Sequence, residues 1–371
     1  MWIWQQPEWP NFDWSSDDIN ALLREVRFNQ GVLLGKMTAI EGDQQRTILD
    51  TLLANIVHSS AIEGEKLNAY SVRSSLANRL GISETQPYPT SEQSDGLADI
   101  ALDAITNLDT PLTLERILNW HQRLFPTGLG LLNPVVGGSL RGEAPMQVVS
   151  GRLDRPVVHF EAPPRQGLEQ ELERFITWFN HSRDDKSLDP LLRAAMTHLW
   201  FVTLHPLDDG NGRITRLLTD LALAQSEQQS VRFYAMSVSI LAKRSSYYDV
   251  LEQSQKGTLD ITPWLSWFLQ TLNDSIEHVL ADISSTVRKT NFWRHIDQTQ
   301  LAAPQVKVLN RLLDGDFEQG INASQYQKVT KVSRATATRH LTQLVELGCL
   351  AKTAAGGRST RYQISAISEQ K

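Results

Sequence analysis

The stretch "TLHPLDDGNGRITRLL", Thr203 to Leu218, interrupts an apolar helical pattern with a His-Pro step, two aspartates and a Gly-Asn-Gly turn before the apolar run resumes. Such a turn at the start of a helix presents unpaired backbone N–H groups with little side-chain bulk. The helix dipole adds positive potential there, so the loop reads as an anion site suited to phosphate. Arg213 and Arg216, three apart, share one face of the first helical turn, and their guanidinium forks can donate to the remaining phosphate oxygens. Asp209 supplies a hard oxygen ligand for Mg²⁺ held jointly with the phosphates. His205, with a reference pKa of about 6.5, can accept a hydroxyl proton at neutral pH. Taken singly, each feature has an ordinary structural reading: a turn, a helix C-cap, a solvated basic face, a dipole partner. Together they describe a magnesium-nucleotide site with a general base at its edge. The chain has no GxxxxGK phosphate loop, GxGxxG fingerprint or HExxH zinc motif to offer competing chemistry.

Helical periodicity extends on both sides of the loop. Asp189 and Pro190 form an N-cap and first-turn pair for "LLRAAMTHLWFVTL", and "RITRLLTDLALAQS" follows the glycines. Upstream, "MQVVSGRLDRPVVHFEAPP", Met146 to Pro164, has two β-rich runs around a turn and predicts a hairpin, after which "QGLEQELERFITWFN" returns to helical spacing. Near the start, one amphipathic helix begins after Ser15, and a second runs from about Gln44 to Ser59. Trp2, Trp4, Trp9 and Trp14 are expected to pack the start of the chain against the helices. Further helix continues to about Arg294, and a linker is expected near "HIDQTQLAAP".

At 371 residues and 41% hydrophobic content the chain has room for two or three packed domains. Its one cysteine, Cys349, excludes an internal disulfide framework and favours a reducing compartment. The opening "MWIWQQPEWPNFDW" lacks the pattern of a signal peptide and no run is long enough to span a membrane, so a cytoplasmic protein without membrane partners is expected. Charge divides unevenly. Residues 304–371 carry ten Lys and Arg against five Asp and Glu, which leaves 26 against 37 for residues 1–303.

"HPLDDGNGRITR", His205 to Arg216, resembles the Fic-domain signature His-Pro-Phe-x-Asp/Glu-Gly-Asn-Gly/Lys-Arg-x-x-Arg, departing from it only at Leu207, where Phe is usual. The resemblance runs from about Thr113 to Ala224 for the catalytic core, and the Trp-rich start looks like the N-terminal extension of many bacterial Fic proteins. It implies a mainly α protein: a Fic helical core with a β-hairpin flap, an N-terminal helical extension (residues 1–95), the Fic domain with following helices (96–296) and a C-terminal winged-helix domain (304–371). It implies transfer of AMP from Mg-ATP to a Ser, Thr or Tyr hydroxyl of a target protein. His205 would be the base, Asp209 the metal ligand, and Gly210, Asn211, Gly212, Arg213 and Arg216 the phosphate-binding group. Gly212, where a kinase-like branch carries Lys, favours AMP over phosphate transfer. The hairpin would be the flap, offering Val148, Val149, Ser150, Val157, Val158 and His159 to an extended target segment by strand addition.

"SSAIEGEKL", Ser59 to Leu67, is similar to the family's inhibitory pattern Ser/Thr-x-x-x-Glu-Gly/Asn, with Ser59, Glu63 and Gly64 in place. In that scheme the Glu63 carboxylate makes a bidentate pair with Arg216 and occupies the γ-phosphate position. Ser60 to Glu63 also spells an N-terminal capping box. Some relatives use this glutamate to remove AMP, which makes a de-AMPylase the alternative enzyme. A nucleotide-sensing, DNA-binding transcription regulator is the alternative outside enzymes, and Fic cores can also pair as homodimers.

The basic tail, "INASQYQKVTKVSRATATRHLTQLVELGCLAKTAAGGRSTRYQI", reads as a short helix, a turn, a longer helix capped by Ser333 and ended by Gly348, and two short strands around Gly-Gly. Ala337, Leu341, Leu344 and Val345 form the apolar stripe of the longer helix. This resembles a winged helix-turn-helix, a module that serves duplex DNA or protein docking. In the DNA reading, Arg334 and Arg339 face the duplex, with Thr336 and Thr338 on the same helix, while Arg358 and Arg361 on the wing meet phosphates.

Overall fold

The first long helix begins where its acidic start predicts. In the computed structural model, described over residues 1–39, 44–126, 135–152, 155–226, 233–353 and 360–365, α1 (Ser16–Ala39) carries Asp17 and Asp18 in its first turn, facing the unpaired N–H groups there. Helix α2 (Gln44–Ile62) runs one turn beyond the expected end. Ser60 therefore lies at a helix C-terminus, where its carbonyl accepts from the Glu63 and Glu65 N–H groups, and Gly64 turns the chain with φ +83°. The capping box expected at Ser60 to Glu63 is absent, because that motif requires a helix start. Three helices not singled out from the sequence follow. They are α3 (Ala69–Leu80), α4 (Glu92–Thr106) and α5 (Leu114–Leu124), capped by Asn68, Ser91 and Thr113, whose side chains accept from first-turn N–H groups.

The hairpin forms as β1 (Gln147–Arg152) and β2 (Arg155–Glu161), antiparallel, with Val149 opposite Val158, Ser150 opposite Val157 and a register shift between Val148 and Val149. The Trp-rich start packs on this hairpin as well as on helices. Trp2 meets Phe160 edge-on at 5.4 Å and the Trp4 indole donates to the Glu161 carbonyl at 2.7 Å, while Trp9 contacts Trp200 at 6.1 Å. Helix α6 (Leu168–His181) then leads to α7 (Pro190–Leu204), whose N-cap Asp189 accepts from the Leu191 N–H and pairs with Arg27 of α1. Every residue of α7 from Leu191 to Leu204 is buried. A helix apolar all round requires cover on every side. Helix α8 (Asn211–Ser226) packs most extensively against it, with α6 also in contact, and α8 in turn meets α2, α4 and α5. Helices α9 (Met236–Ala242), α10 (Arg244–Lys256) and α11 (Thr262–His295) continue the chain, with α9 against α2 and α10 against β2.

The chain separates into two compact units, Met1–Glu277 and His278–Lys371. The division falls inside α11, ahead of Pro304, because Phe292 of α11 belongs to the core of the second unit. That unit adds α12 (Ala303–Leu313), unmarked in the sequence reading, then α13 (Ala323–Thr330), α14 (Arg334–Glu346), β3 (Leu350–Lys352) and β4 (Tyr362–Ile364). The two strands pair antiparallel, and Ile321 bridges to Tyr362. Ala337, Leu341 and Leu344 are buried as the stripe predicts, Val345 is half-buried, and the buried His340 ring bonds the Tyr326 hydroxyl at 2.9 Å. Arg334 and Arg339 are exposed. Arg361 is half-buried and donates to the Gly320 carbonyl at 2.8 Å, so part of its guanidinium is committed within the fold. The Gly-Gly turn and Arg358 lie outside the described residues.

Close approach of α4 to α5 depends on Gly96, where an added Cβ would stand 2.2 Å from the Arg123 carbonyl oxygen. Gly96→Ala is expected to destabilise the protein by at least ~1–3 kcal/mol through overpacking against backbone. Gly31→Ala, in α1 with nothing within 4 Å of the new methyl, should instead stabilise by roughly 0.5–1 kcal/mol. Urea unfolding midpoints moving in opposite directions check this pair.

Candidate active site

The loop between α7 and α8 is closed by its own side chains. His205 ends α7 in the left-handed region, φ 47° and ψ 56°, and its N–H donates to the Phe201 carbonyl. Leu207 is fully buried, as a residue replacing the usual Phe must be to anchor the loop. Its N–H donates to the Asn211 side-chain oxygen at 3.0 Å, and the Asn211 amide donates back to the Leu207 carbonyl at 2.7 Å. Asn211 is thus committed to holding the loop, and only its backbone N–H remains for an anion. Gly210, at φ +80°, lies so close to Leu124 and Phe125 that a Cβ would come within 2.8–2.9 Å of both. Asp209 accepts from the Gly210 N–H at 2.5 Å and lies 3.5 Å from Arg213 Nη2, with 55% of its side chain exposed.

His205 Nδ1 lies 3.2 Å from the Val202 carbonyl. A carbonyl only accepts, so Nδ1 carries the proton and the Nε2 lone pair is left free. Burial, against the opposing pull of that hydrogen bond, lowers the imidazole pKa to about 4. The ring is therefore neutral at physiological pH, as a base must be.

Arg141, unmarked by the sequence reading, fixes this loop from outside. It is 2% exposed, and its Nε donates to the His205 carbonyl at 2.9 Å while Nη2 donates to the Pro163 carbonyl at 2.5 Å. Its own N–H donates to the Pro206 carbonyl. It joins the loop to the chain just past the hairpin. An arginine among glycines in "GGSLRGE" gives no signal of burial.

The two arginines of α8 share the helix face as expected, yet meet different carboxylates. Arg216 is 3% exposed, and its Nη2 donates to Glu63 Oε1 at 2.8 Å and to the Ser59 carbonyl at 2.9 Å, while Nε donates to the Ser59 hydroxyl at 2.8 Å. The contact with Glu63 is a single hydrogen bond, and the expected bidentate pair does not form because Ser59 takes the other edge of the fork. Arg213 Nη1 pairs with Glu65 at 2.6 Å, and Glu65 also accepts from Gln93. The Arg213 guanidinium lies 4.8 Å from the Phe125 ring centroid. Burial raises the Glu63 carboxyl pKa, but the Arg216 charge and hydrogen bond outweigh it and hold the group below the usual carboxylate value. Two residues of α10, also absent from the sequence reading, brace this turn. Arg244 donates to the Ile62 carbonyl at 2.7 Å, and the Tyr248 hydroxyl reaches Glu63 Oε2 at 3.4 Å.

A cavity of about 520 Å³ opens beside these groups, lined by Glu63, His205, Gly212, Tyr247, Tyr248 and the hairpin. Of the expected flap residues, Val148, Val149, Ser150 and His159 line it. Val157 is exposed and Val158 half-buried, and neither contributes to the lining.

The donor set suits a polyphosphate. Arg216 Nη1 and Arg213 Nε are buried without a hydrogen-bond partner, an arrangement that costs free energy unless a ligand completes it. Glu63 lies over this helix start, since a Cβ on Gly212 would stand 2.0 Å from Glu63 Oε1. The exposed Asp209 carboxylate would be the residue to hold a Mg²⁺ shared with phosphate and water.

Residues 111–223 match the Fic/DOC family, and residues 2–82 match a domain of unknown function, DUF4172. The chain therefore carries a Fic/DOC family domain. Among curated relatives, the protein adenylyltransferase Fic of Drosophila grimshawi is 30% identical over 241 residues, covering 64% of this chain and 44% of the relative. That of Culex quinquefasciatus is 29% identical over 254 residues, covering 67% and 44%. The chain thus spans less than half the length of these relatives. Among solved structures, a Fic family protein from Desulfovibrio desulfuricans G20 aligns with a TM-score of 0.53 at 19% identity, covering 94% of this chain and 96% of that one. Fic-1 (aa134–508) from C. elegans aligns at 0.51 with 23% identity over 73% and 74%. Both share the fold.

The depressed pKa of His205 is open to direct measurement. NMR titration of the imidazole is expected to give a midpoint near 4, with no protonation between pH 8 and 6. A midpoint near the reference value would show the ring to be solvated. The sign for stability follows from linkage. Between the folded value and the unfolded ~6.5 the unfolded chain binds the extra proton, so this group lowers stability as pH falls through that window and contributes nothing above it.

Proposed function

We propose that the protein is an adenylyltransferase that moves AMP from Mg-ATP to a Ser, Thr or Tyr hydroxyl of a protein. The observation that carries this reading is that a His205 Nε2 lone pair and the N-terminus of α8 at Gly212 meet at one cavity, with the unsatisfied Arg216 Nη1 directly behind Gly212, 3.2 Å from where its Cβ would stand. In this reading His205 Nε2 accepts the proton of the target hydroxyl as its oxygen attacks the α-phosphorus. The backbone N–H groups at Asn211 and Gly212, with Arg213 and Arg216, hold the phosphates and stabilise charge passing to the pyrophosphate leaving group. Mg²⁺ on Asp209 would neutralise phosphate charge. Main-chain groups of the outer edge of β1 would align the target segment, since β1 pairs only with β2 among the described residues.

Glu63 acts as a brake in this scheme. Its carboxylate already lies over Gly212 and bonds Arg216, so it competes with an anionic phosphate for the same donors and repels it. Removing the carboxylate leaves Arg216 free. Glu63→Gly is expected to raise incorporation of label from α-labelled ATP into protein by roughly 5–150-fold, the range of ordinary site coupling. His205→Ala should lower it by ~10²–10⁴-fold. Transfer of γ-label instead would identify a kinase. A second reading is supported by Glu63 and His205 lining one cavity: the carboxylate orients a water that removes AMP from a modified protein. Loss of AMP from a pre-modified protein, dependent on Glu63, distinguishes it.

The second unit is read as a winged helix-turn-helix that binds duplex DNA through α14, which supports the alternative of a nucleotide-sensing transcription regulator. Supporting this are the exposed Arg334 and Arg339 on α14, with Thr338 beside them, and the basic balance of residues 304–371. Arg339→Ala in the full chain should weaken duplex binding and reduce the log–log salt slope by about 1. Absence of duplex binding by the wild type at low salt would remove DNA from the account and leave protein docking.

A further inference from the structure

Between the hairpin and α10, three side chains form a relay that the transfer mechanism does not use. The Ser150 hydroxyl is 2.6 Å from His159 Nε2, and His159 Nδ1 is 2.7 Å from Glu252 Oε2 of α10. Glu252 also pairs with Lys256. The bond from Lys256, together with that from His159, holds the Glu252 carboxyl below its usual pKa. An ionised carboxylate only accepts, so His159 Nδ1 carries a proton. In the ring's neutral form Nε2 is then the acceptor for the Ser150 O–H. This is the hydrogen-bond order of an activated serine: nucleophile, base, and a carboxylate that orients the base.

Ser150 is exposed, and Ser150, His159 and Glu252 all line the cavity that contains His205, Glu63 and Gly212. A cross-strand polar cluster would satisfy the same hydrogen bonds, but it gives no reason to place the hydroxyl inside the cavity. The electrophile suited to this cavity is a phosphorus atom, because the groups able to take its developing charge are the α8 N-terminus and the arginine behind Gly212.

We propose that Ser150 is a self-modification site that accepts AMP from ATP bound in the same cavity, with His159 as its own general base and Glu252 as a positioning residue. The proposal rests on the adenylyltransferase reading above. The Ser150 Oγ–Pα bond forms as the bond from Pα to the bridging oxygen of Pβ breaks. Pyrophosphate leaves with the bond electrons, and the hydroxyl proton passes to His159 Nε2, giving an imidazolium paired with Glu252. No further reactant is needed. AMP on Ser150 would then fill the space beside the edge of β1.

The test is peptide mapping of full-length Glu63→Gly protein incubated with Mg-ATP labelled at the α-phosphate, with lysate proteins labelled in a parallel reaction. AMP on Ser150 is expected. Self-label should disappear in Glu63→Gly carrying Ser150→Ala and fall ~100-fold with His159→Gln, in the range of a lost general base. Glu252→Ala should lower self-labelling and Glu252→Asp restore part of it, a recovery that a purely structural contact does not require. Label on lysate proteins with none on Ser150 overturns this proposal alone. Label on neither overturns it together with the transferase reading. A Ser150 adduct forming at the same rate in the His159→Gln protein would remove the relay.

Discussion

The site depends on the reciprocal hydrogen bonds between the Asn211 side chain and the Leu207 backbone, 3.0 and 2.7 Å long and almost fully buried. They hold a loop that leaves one buried helix at a left-handed His205 and enters the next within a few residues. Each end of the loop is tied to a helix with little freedom. Helix α7 is buried along its length, and α8 is buried over most of its own. Losing one such bond inside the protein leaves its partner unsatisfied, at about 1–3 kcal/mol. His205, held at positive φ, is fixed by Arg141, which donates to its carbonyl and anchors the segment beyond the hairpin. His205, the start of α8 and the chain just past the hairpin are thus tied together by one connected set of side chain–backbone hydrogen bonds.

Electrostatics then decide what the site contains. Two arginines buried on α8 need anionic partners, and in this chain both partners come from a single turn after α2, Glu63 to Arg216 and Glu65 to Arg213. Neither guanidinium is fully satisfied, since Arg216 Nη1 and Arg213 Nε remain unpartnered. A nucleotide phosphate brings more acceptor oxygens than the carboxylates supply, so in the proposed scheme the phosphate and the two carboxylates are alternative partners for the same buried charge. The turn itself is held by α10, through Arg244 to Ile62 and Tyr248 to Glu63. Movement of α10 would therefore shift this turn and the cavity wall together, since Tyr247 and Tyr248 line the cavity that holds His205 and Gly212.

Local signals made α7, α8 and the hairpin legible, because caps, apolar runs and β-branched alternation are written within a few residues. His205, Asp209, Gly212, Arg213 and Arg216 were found by their spacing in one loop. Glu63 was found only through a resemblance, because its partner lies 153 residues away. Its competing assignment to a capping box failed because the end of α2 is set by packing against α9 and bonding from α10. Arg141, Glu65, Tyr248 and the Ser150–His159–Glu252 relay stayed hidden, since tertiary contacts alone give them their roles. Helices α3, α4 and α5 carry ordinary caps, and α12 begins after Ala302 without a side-chain cap, with no chemistry nearby to draw attention to any of them.

The most direct test of the central claim is a crystal structure of the Glu63→Gly chain with Mg²⁺ and a non-hydrolysable ATP analogue. The account predicts a phosphate oxygen hydrogen-bonded to Arg216 in the space vacated by Glu63, with the α-phosphorus facing His205 Nε2. A nucleotide bound away from Gly212, with Arg216 still held only by Ser59, would contradict it.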